Sequence, residues 1–239
     1  MTLTDSRTRF VSSNQRLAEP LLLLFLTATA LALSAFHPYD RTTWWLEVFP
    51  VLLGVPILVA THGRFRLTPI LYRLLFAHAL ILILGSHYTY ERVPLGDMAR
   101  DFFGLDRNPY DRVGHFAQGF VPAILARELL LCLSPLRPGK WLFFLVCSVC
   151  LAVSATYELV EWIAALCFGE SAEAFLGTQG DPWDTQWDMF LALLGALLAQ
   201  TLLSGTHDRA ITRLHAGPSF PRKRESSPMD GGRAQSERD

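Results

Sequence analysis

Charge is scarce in this chain. Only 18% of its 239 residues are charged while 51% are hydrophobic, a balance that excludes an ordinary soluble domain of this length. Segments of alternating polarity are missing too; the apolar residues come in long continuous runs, which excludes a transmembrane β-barrel. No phosphate loop, dinucleotide fingerprint, nucleophile elbow or heme motif is present, so none of these supplies a reaction class. A formal net charge of −1 leaves no basic surplus for nucleic acid. Cysteine is sparse as well. Cys132, Cys147, Cys150 and Cys167 all fall in or at the ends of apolar runs, where cysteine is commonly a small buried residue. Cys147 and Cys150 form a C-x-x-C, but their flanks lack the electropositive setting that activates a thiolate.

What is there are six apolar runs, near residues 17–36, 44–61, 68–86, 114–134, 141–168 and 187–204. Each approaches the roughly 20 residues a helix needs to cross a hydrocarbon core. The expected fold is therefore all-α, a polytopic membrane bundle whose integral domain covers residues 17–206 and whose obligatory partner is the lipid bilayer. Glu47 and Pro50 interrupt the second run, and Arg73 and His78 the third. Membrane helices tolerate proline where neighbours satisfy the freed backbone, and an arginine near an end can snorkel.

Arginine and lysine are unevenly shared among the connections. Residues 1–16 hold Arg7, Arg9 and Arg16, the second loop Arg64 and Arg66, the fourth Arg137 and Lys140, and the tail Arg209, Arg213, Arg222, Lys223 and Arg224. The fifth loop, residues 169–186, contains neither residue type. Short cytoplasmic loops carry the basic excess, so both termini are expected in the cytoplasm, in agreement with an even number of spans. A cleavable signal peptide ending near Ala30 and Ala32 is the rival for the first run. The run is longer than the ~7 to 15 apolar residues usual for a signal peptide, which favours an uncleaved anchor. Residues 207–239 are expected to form a disordered cytoplasmic tail, since the stretch from Ala216 has too little apolar surface to fold; a basic segment on anionic lipid is the alternative.

The strongly polar motifs gather at the opposite side. Asp111, Arg112 and His115 open the fourth span, with Gln118 on the same helical face. Glu158 and Glu161 share a face of the fifth, and Glu158 lies about 12 Å below its outer end at 1.5 Å per residue. Asp181, Asp184 and Asp188 open the sixth. Ionisable groups at membrane depth are costly and mark functional sites by default. Two facing carboxylates repel, and need a shared proton, a basic partner such as Arg112 or His115, or a bound cation. His115, Glu158, Glu161, Asp184 and Asp188 are the candidate catalytic groups, with His87, Tyr90, Asp111, Arg112, Gln118 and Asp181 in support. Glu158, Glu161, Asp184 and Asp188 are the candidate ligands of a divalent metal. Plainer roles compete: Asp111 and Asp181 can serve as helix caps, and Arg127 and Glu128, at the inner end of the fourth span, can pair with each other or with headgroups.

The strings His87-Tyr88-Thr89-Tyr90, Arg107-Asn108-Pro109-Tyr110-Asp111-Arg112, Gly114-His115-Phe116-Ala117-Gln118-Gly119, Tyr157-Glu158-Leu159-Val160-Glu161-Trp162 and Phe175-Leu176-Gly177-Thr178-Gln179-Gly180-Asp181 are long and specific. With Trp183-Asp184-Thr185-Gln186-Trp187-Asp188 they make the chain resemble the YjdF-like bacterial inner-membrane proteins, from about His37 to Arg209. That resemblance implies an inner-membrane location and no assigned activity. A shorter likeness is to VanZ-like membrane proteins, through Asp111-Arg112-x-x-His115, the Glu158 helix and an Asp-opened helix with Gly195. It departs at the family's usual Asn, where this chain has Ala192, and it implies a shared helical core without an activity. Three functions are consistent with the sequence: a metal- or acid/base-dependent enzyme on an envelope or lipid-linked substrate, an ion- or proton-coupled transporter or ligand-binding protein, and a noncatalytic scaffold.

Overall fold

The computed structural model describes residues 3–169, 175 and 177–215, with side chains from Leu17 onward except Phe168. Among the described residues it is all helical: α1 (Leu3–Ser34), α2 (Arg41–Thr61), α3 (Pro69–Tyr88), α4 (Pro94–Phe103), α5 (Tyr110–Leu133), α6 (Lys140–Phe168) and α7 (Asp184–Leu214), with a 3-10 turn at Tyr90–Arg92. Six of these, all but α4, are long and apolar enough to cross a membrane. The starts follow local chemistry. Asp40 caps α2 by accepting from the Thr43 backbone N–H at 2.7 Å, and Pro69 and Pro94 open α3 and α4 where no N–H is needed. A left-handed Gly104 ends α4.

Two boundaries differ from the sequence reading. The sixth span does not stop at 204; α7 runs to Leu214, so residues 207–214 are helix and not tail. At the other end, residues 1–16, which the sequence leads one to expect as a cytoplasmic arm ahead of the membrane domain, have from Leu3 a helical backbone continuous with the first span in α1. Residues 216–239, where the rest of the expected tail falls, lie outside the described residues. The third connection also holds a helix not foreseen. α4 exposes Leu95, Met98, Phe102 and Phe103 and carries Asp97, Arg100 and Asp101 among them, the composition of a short helix lying in the headgroup layer.

α5 is the hub, packing on α3, α6 and most extensively α7. The α5–α7 seam is lined by small residues. Ala123, Ala192, Ala196 and Ala199 are fully buried, and a Cβ on Gly119 or Gly195 would run into the backbone of Ala192 or of Phe116, respectively. Such residues let helix axes approach where lipid offers no hydrophobic drive to associate. Below this seam Leu71, Ile124, Leu142, Val146, Cys147 and Cys150 complete an apolar core.

That core separates two polar ends. At the end carrying the N-terminus of α3, Glu128 accepts from the Thr68 N–H at 2.8 Å and the Thr68 hydroxyl at 2.7 Å, and lies 2.7 Å from His207 Nε2. Arg127 grips Asp208 through two bonds of 2.9 and 2.7 Å. Arg127 and Glu128 thus hold residues of α7 and the start of α3, not each other or headgroups. Because Glu128 and His207 are both fully buried, His207→Ala leaves a carboxylate short of a partner. Glu128 keeps both Thr68 bonds, so the cost is that of one net hydrogen bond, about 0.5–1.5 kcal/mol, and thermal unfolding of the purified protein in nanodiscs should show a loss of that size.

Candidate functional site

At the other end of the bundle, His115 stands at the centre of the acids. It lies just over one turn into α5, and 94% of its surface is buried by its neighbours, 6% remaining exposed. Its Nε2 is 3.4 Å from Asp111 Oδ1 and 3.9 Å from Asp188 Oδ2, and its Nδ1 is 3.7 Å from Glu158 Oε1. Helical spacing explains the convergence: Asp111 sits one turn before His115 on the same face, Glu158 and Glu161 share a face of α6, and Asp184 and Asp188 share a face of α7. All six of these side chains are buried. Two sets of potential ligand atoms lie within 4.8 Å of one another: Asp111, His115 and Asp188, and His115, Glu158 and Glu161.

His115 thus stands in both groups that could hold a metal ion, beside three of the four acids the sequence offered as ligands, Glu158, Glu161 and Asp188. Asp184 is engaged elsewhere, because Arg107 donates to it directly. Arg107 Nη2 also reaches Asp111 Oδ2 at 3.4 Å and the Gly177 carbonyl at 3.0 Å, and Nη1 the Thr178 carbonyl at 3.3 Å. Next to it, the Asn108 N–H donates to Gln179 Oε1 at 2.9 Å while Gln179 Nε2 returns a bond to the Asn108 carbonyl at 3.1 Å. The loop before α5 and the loop before α7 are thereby clamped together above the acids. Sequence reading missed Arg107 as a site residue. The available signal was its place in the Arg107-Asn108-Pro109-Tyr110-Asp111 string, one turn before Asp111.

The supporting residues divide. Arg112 pairs with Asp181 at 3.1 Å and lies over the Trp187 ring, so it neutralises the rim and not the glutamates. Asp181 accepts from the Trp183 N–H at 2.9 Å and so shapes the turn before α7; the residue preceding α7 is Trp183, which makes no side-chain cap. Asp111 is likewise not a cap: Asn108 Oδ1 receives the Tyr110 N–H at 3.0 Å, and Asp111 turns inward. His87 is remote from the cluster, its Nδ1 lying 2.9 Å from the Ser34 carbonyl at the α1–α3 contact. Tyr90 and Gln118 line a cavity beside His115. The Tyr90 ring is seated against Gly85 and Gly114, where a Cβ would strike it. Burial, then Glu47, raises its phenol well above the ordinary value, so it is a hydrogen-bond donor at neutral pH.

Glu47 is the second residue that sequence reading undervalued. It is 3% exposed, faces the same cavity, and its Oε2 has no hydrogen-bond partner. Comparison with known proteins places the chain in a family. Residues 19–209 match the family described as Predicted membrane protein (DUF2238). The chain belongs to that family. The matched stretch takes in every residue of the cluster and both polar ends. A relative, inner membrane protein YjdF of Escherichia coli (strain K12), is 50% identical over 201 residues, which is 83% of this chain and 96% of that protein. No solved structure matches. The chain is thus an integral membrane protein of the inner membrane, a family placement that brings no activity with it.

Proposed function

We infer that this is a membrane enzyme whose centre is a divalent cation held by His115, Glu158 and Glu161, acting on an envelope or lipid-linked substrate from the periplasmic side. The arginine distribution supports that orientation. The observation that carries the reading is the 3.7 Å between His115 Nδ1 and Glu158 Oε1. This is too long for a hydrogen bond, yet two atoms each about 2.0–2.2 Å from a shared ion lie about that far apart. Both atoms are buried without a hydrogen-bond partner. Five carboxylates (Asp111, Glu158, Glu161, Asp184 and Asp188) surround one imidazole and one guanidinium, and crowded like charges at this depth call for protons or a cation.

Imidazole with carboxylates suits zinc, manganese or iron. Such an ion supplies Lewis acidity toward a carbonyl or phosphoryl oxygen. The chain's own residues would do the rest. Asp111 and Asp188 face Nε2 and fix the ring, the carboxylate–histidine support common around metal ligands. Asp188 Oδ1, buried and without a partner, is placed to exchange a proton, and Tyr90 offers a neutral donor. The apolar layer of Leu71, Ala123, Ile124, Ala196 and Ala199 between the two polar ends speaks against a transport path.

Elemental analysis of the purified protein, dialysed against zinc and manganese salts, tests the metal. About one ion per chain is expected in the wild type, with at least a tenfold drop in His115→Ala and Glu158→Ala and none in Gly205→Ala. A wild type without stoichiometric metal would overturn the reading. A scaffold role would instead show as lost stability, with no metal, when Glu158 becomes Gln.

A further inference from the structure

The cavity beside His115 holds about 190 Å³, and its walls are of two kinds. Glu47, Asp111, His115 and Glu161 form a buried polar wall and Pro50, Leu82, Pro122 and Val153 an apolar one, with His78, its Nε2 buried and unpartnered, as a further polar lining group. The groups of the polar wall lie toward the site end of the bundle. His115 is five residues into α5 and Glu161 seven from the end of α6, or about 8 and 10 Å at 1.5 Å per residue. Pro122 and Val153 lie near the midpoints of α5 and α6, at the centre of the bilayer.

Among the described residues the cavity is lined at its loop end and has a gap between helices at its side. Tyr90, Phe175 and Gly177 roof it. On its lateral side α2 packs on α3 and α6 on α5 and α7; α3 also packs on α5, but α2 and α6 make no extensive contact among the described residues, which leaves a seam between those two helices. Val153, at this seam, is 45% exposed. A solute from water would have to pass the roof, whereas a chain from the bilayer enters at Val153.

The chemistry of the polar wall selects the head. No Lys or Arg lines the cavity. Glu47 Oε2 is buried, unpartnered and aimed into it, and Tyr90, Tyr157 and Phe175 bring aromatic rings beside the acids. With Asp111 held by Arg107 and Glu161 in the metal set proposed above, Glu47 is the carboxylate left free, and a carboxylate beside aromatic faces is the surrounding that recognises an ammonium group. We propose that this cavity takes an amphiphile bearing an ammonium head, which enters sideways from the bilayer between α6 and the α2–α3 pair, with Glu47 as the head's counter-charge. The proposal rests on the enzyme reading for its biological sense and names the substrate class of that site.

The test uses the full chain in phosphatidylcholine nanodiscs with a diazirine-bearing long-chain alkylamine and a chain-matched alkyl phosphate. Peptide mapping should place the amine on segments containing Pro50, Leu82 or Val153, at least tenfold above the phosphate, with competition by unlabelled alkylamine. Glu47→Gln should reduce that labelling about tenfold. Val153→Trp, at a position 45% exposed, should block it to a similar degree. Both variants should keep the metal content of the wild type. Preference for the phosphate, equal labelling by both probes, or labelling spread evenly over the lipid-facing surface of α1 would overturn the proposal. Metal without selective labelling refutes the amphiphile alone; selective labelling without metal refutes the metal alone.

Discussion

Gly195→Val prevents the bundle from closing, whereas Gly205→Ala, in the same helix, leaves it intact or slightly firmer. The two glycines differ only in what surrounds them. A Cβ on Gly195 would meet the Phe116 carbonyl and the Phe120 nitrogen, which are backbone atoms of α5 and cannot swing aside; at Gly205 nothing lies within 4 Å. Overpacking a core costs about 1–3 kcal/mol when side chains can yield. Here two helix backbones must separate along the most extensive contact of the fold, so the loss should exceed that range. Gly119→Val should match it, since its Cβ would meet the Ala192 backbone. At Gly205 the sign reverses, because removing a helix-interior glycine gains roughly 0.5–1 kcal/mol. Thermal unfolding of purified protein in nanodiscs reads both. Tolerance of Gly195→Val with unchanged melting would show that α5 and α7 do not approach this closely.

Arg107→Ala has the second large effect. Arg107 is the cation that Asp184 and Asp111 share, and all three side chains are nearly buried. Removing one partner of a buried pair costs about 3–5 kcal/mol because the other charge is stranded. The substitution also releases the Gly177 and Thr178 carbonyls that the guanidinium holds. Arg107→Lys should recover only part of the loss, since an ammonium cannot reproduce the planar fork. The double variant Arg107→Ala with Asp184→Asn should be more stable than Arg107→Ala alone, because it removes a stranded charge. If neutralising Asp184 gives no recovery, the damage lies in the loop and not in the ion pair.

The spans were legible because length and hydropathy are local properties. So were Asp111, His115, Glu158, Glu161, Asp184 and Asp188, whose spacings on three helices predict shared faces and whose positions agree in depth. What stayed hidden depends on contacts across the chain. Arg107 sits in a loop, and nothing near it in sequence reveals that it reaches Asp184. Glu47 reads as a blemish in a weak apolar run until α3 and α5 pack around it. The cost of an acid at that depth was a signal available and not used. The end of α7 was misplaced for a related reason: the polar Thr206-His207-Asp208-Arg209 looks like an exit from the membrane, but Glu128 and Arg127 on α5 bind it.

The distribution of the acids over α5, α6 and α7 also imposes an order in time. A ribosome delivers the chain from the N-terminus, so Asp111, Glu158 and Glu161 reach the bilayer before the last helix exists. His115 can compensate some of that charge, but Arg107 has no Asp184 to hold until α7 arrives. The sixth helix is therefore a closing element: its small-residue seam docks on α5 as its two aspartates enter the cluster. Assembly of the fold and completion of the site are one event, and an early stop in synthesis would leave uncompensated acids within the membrane.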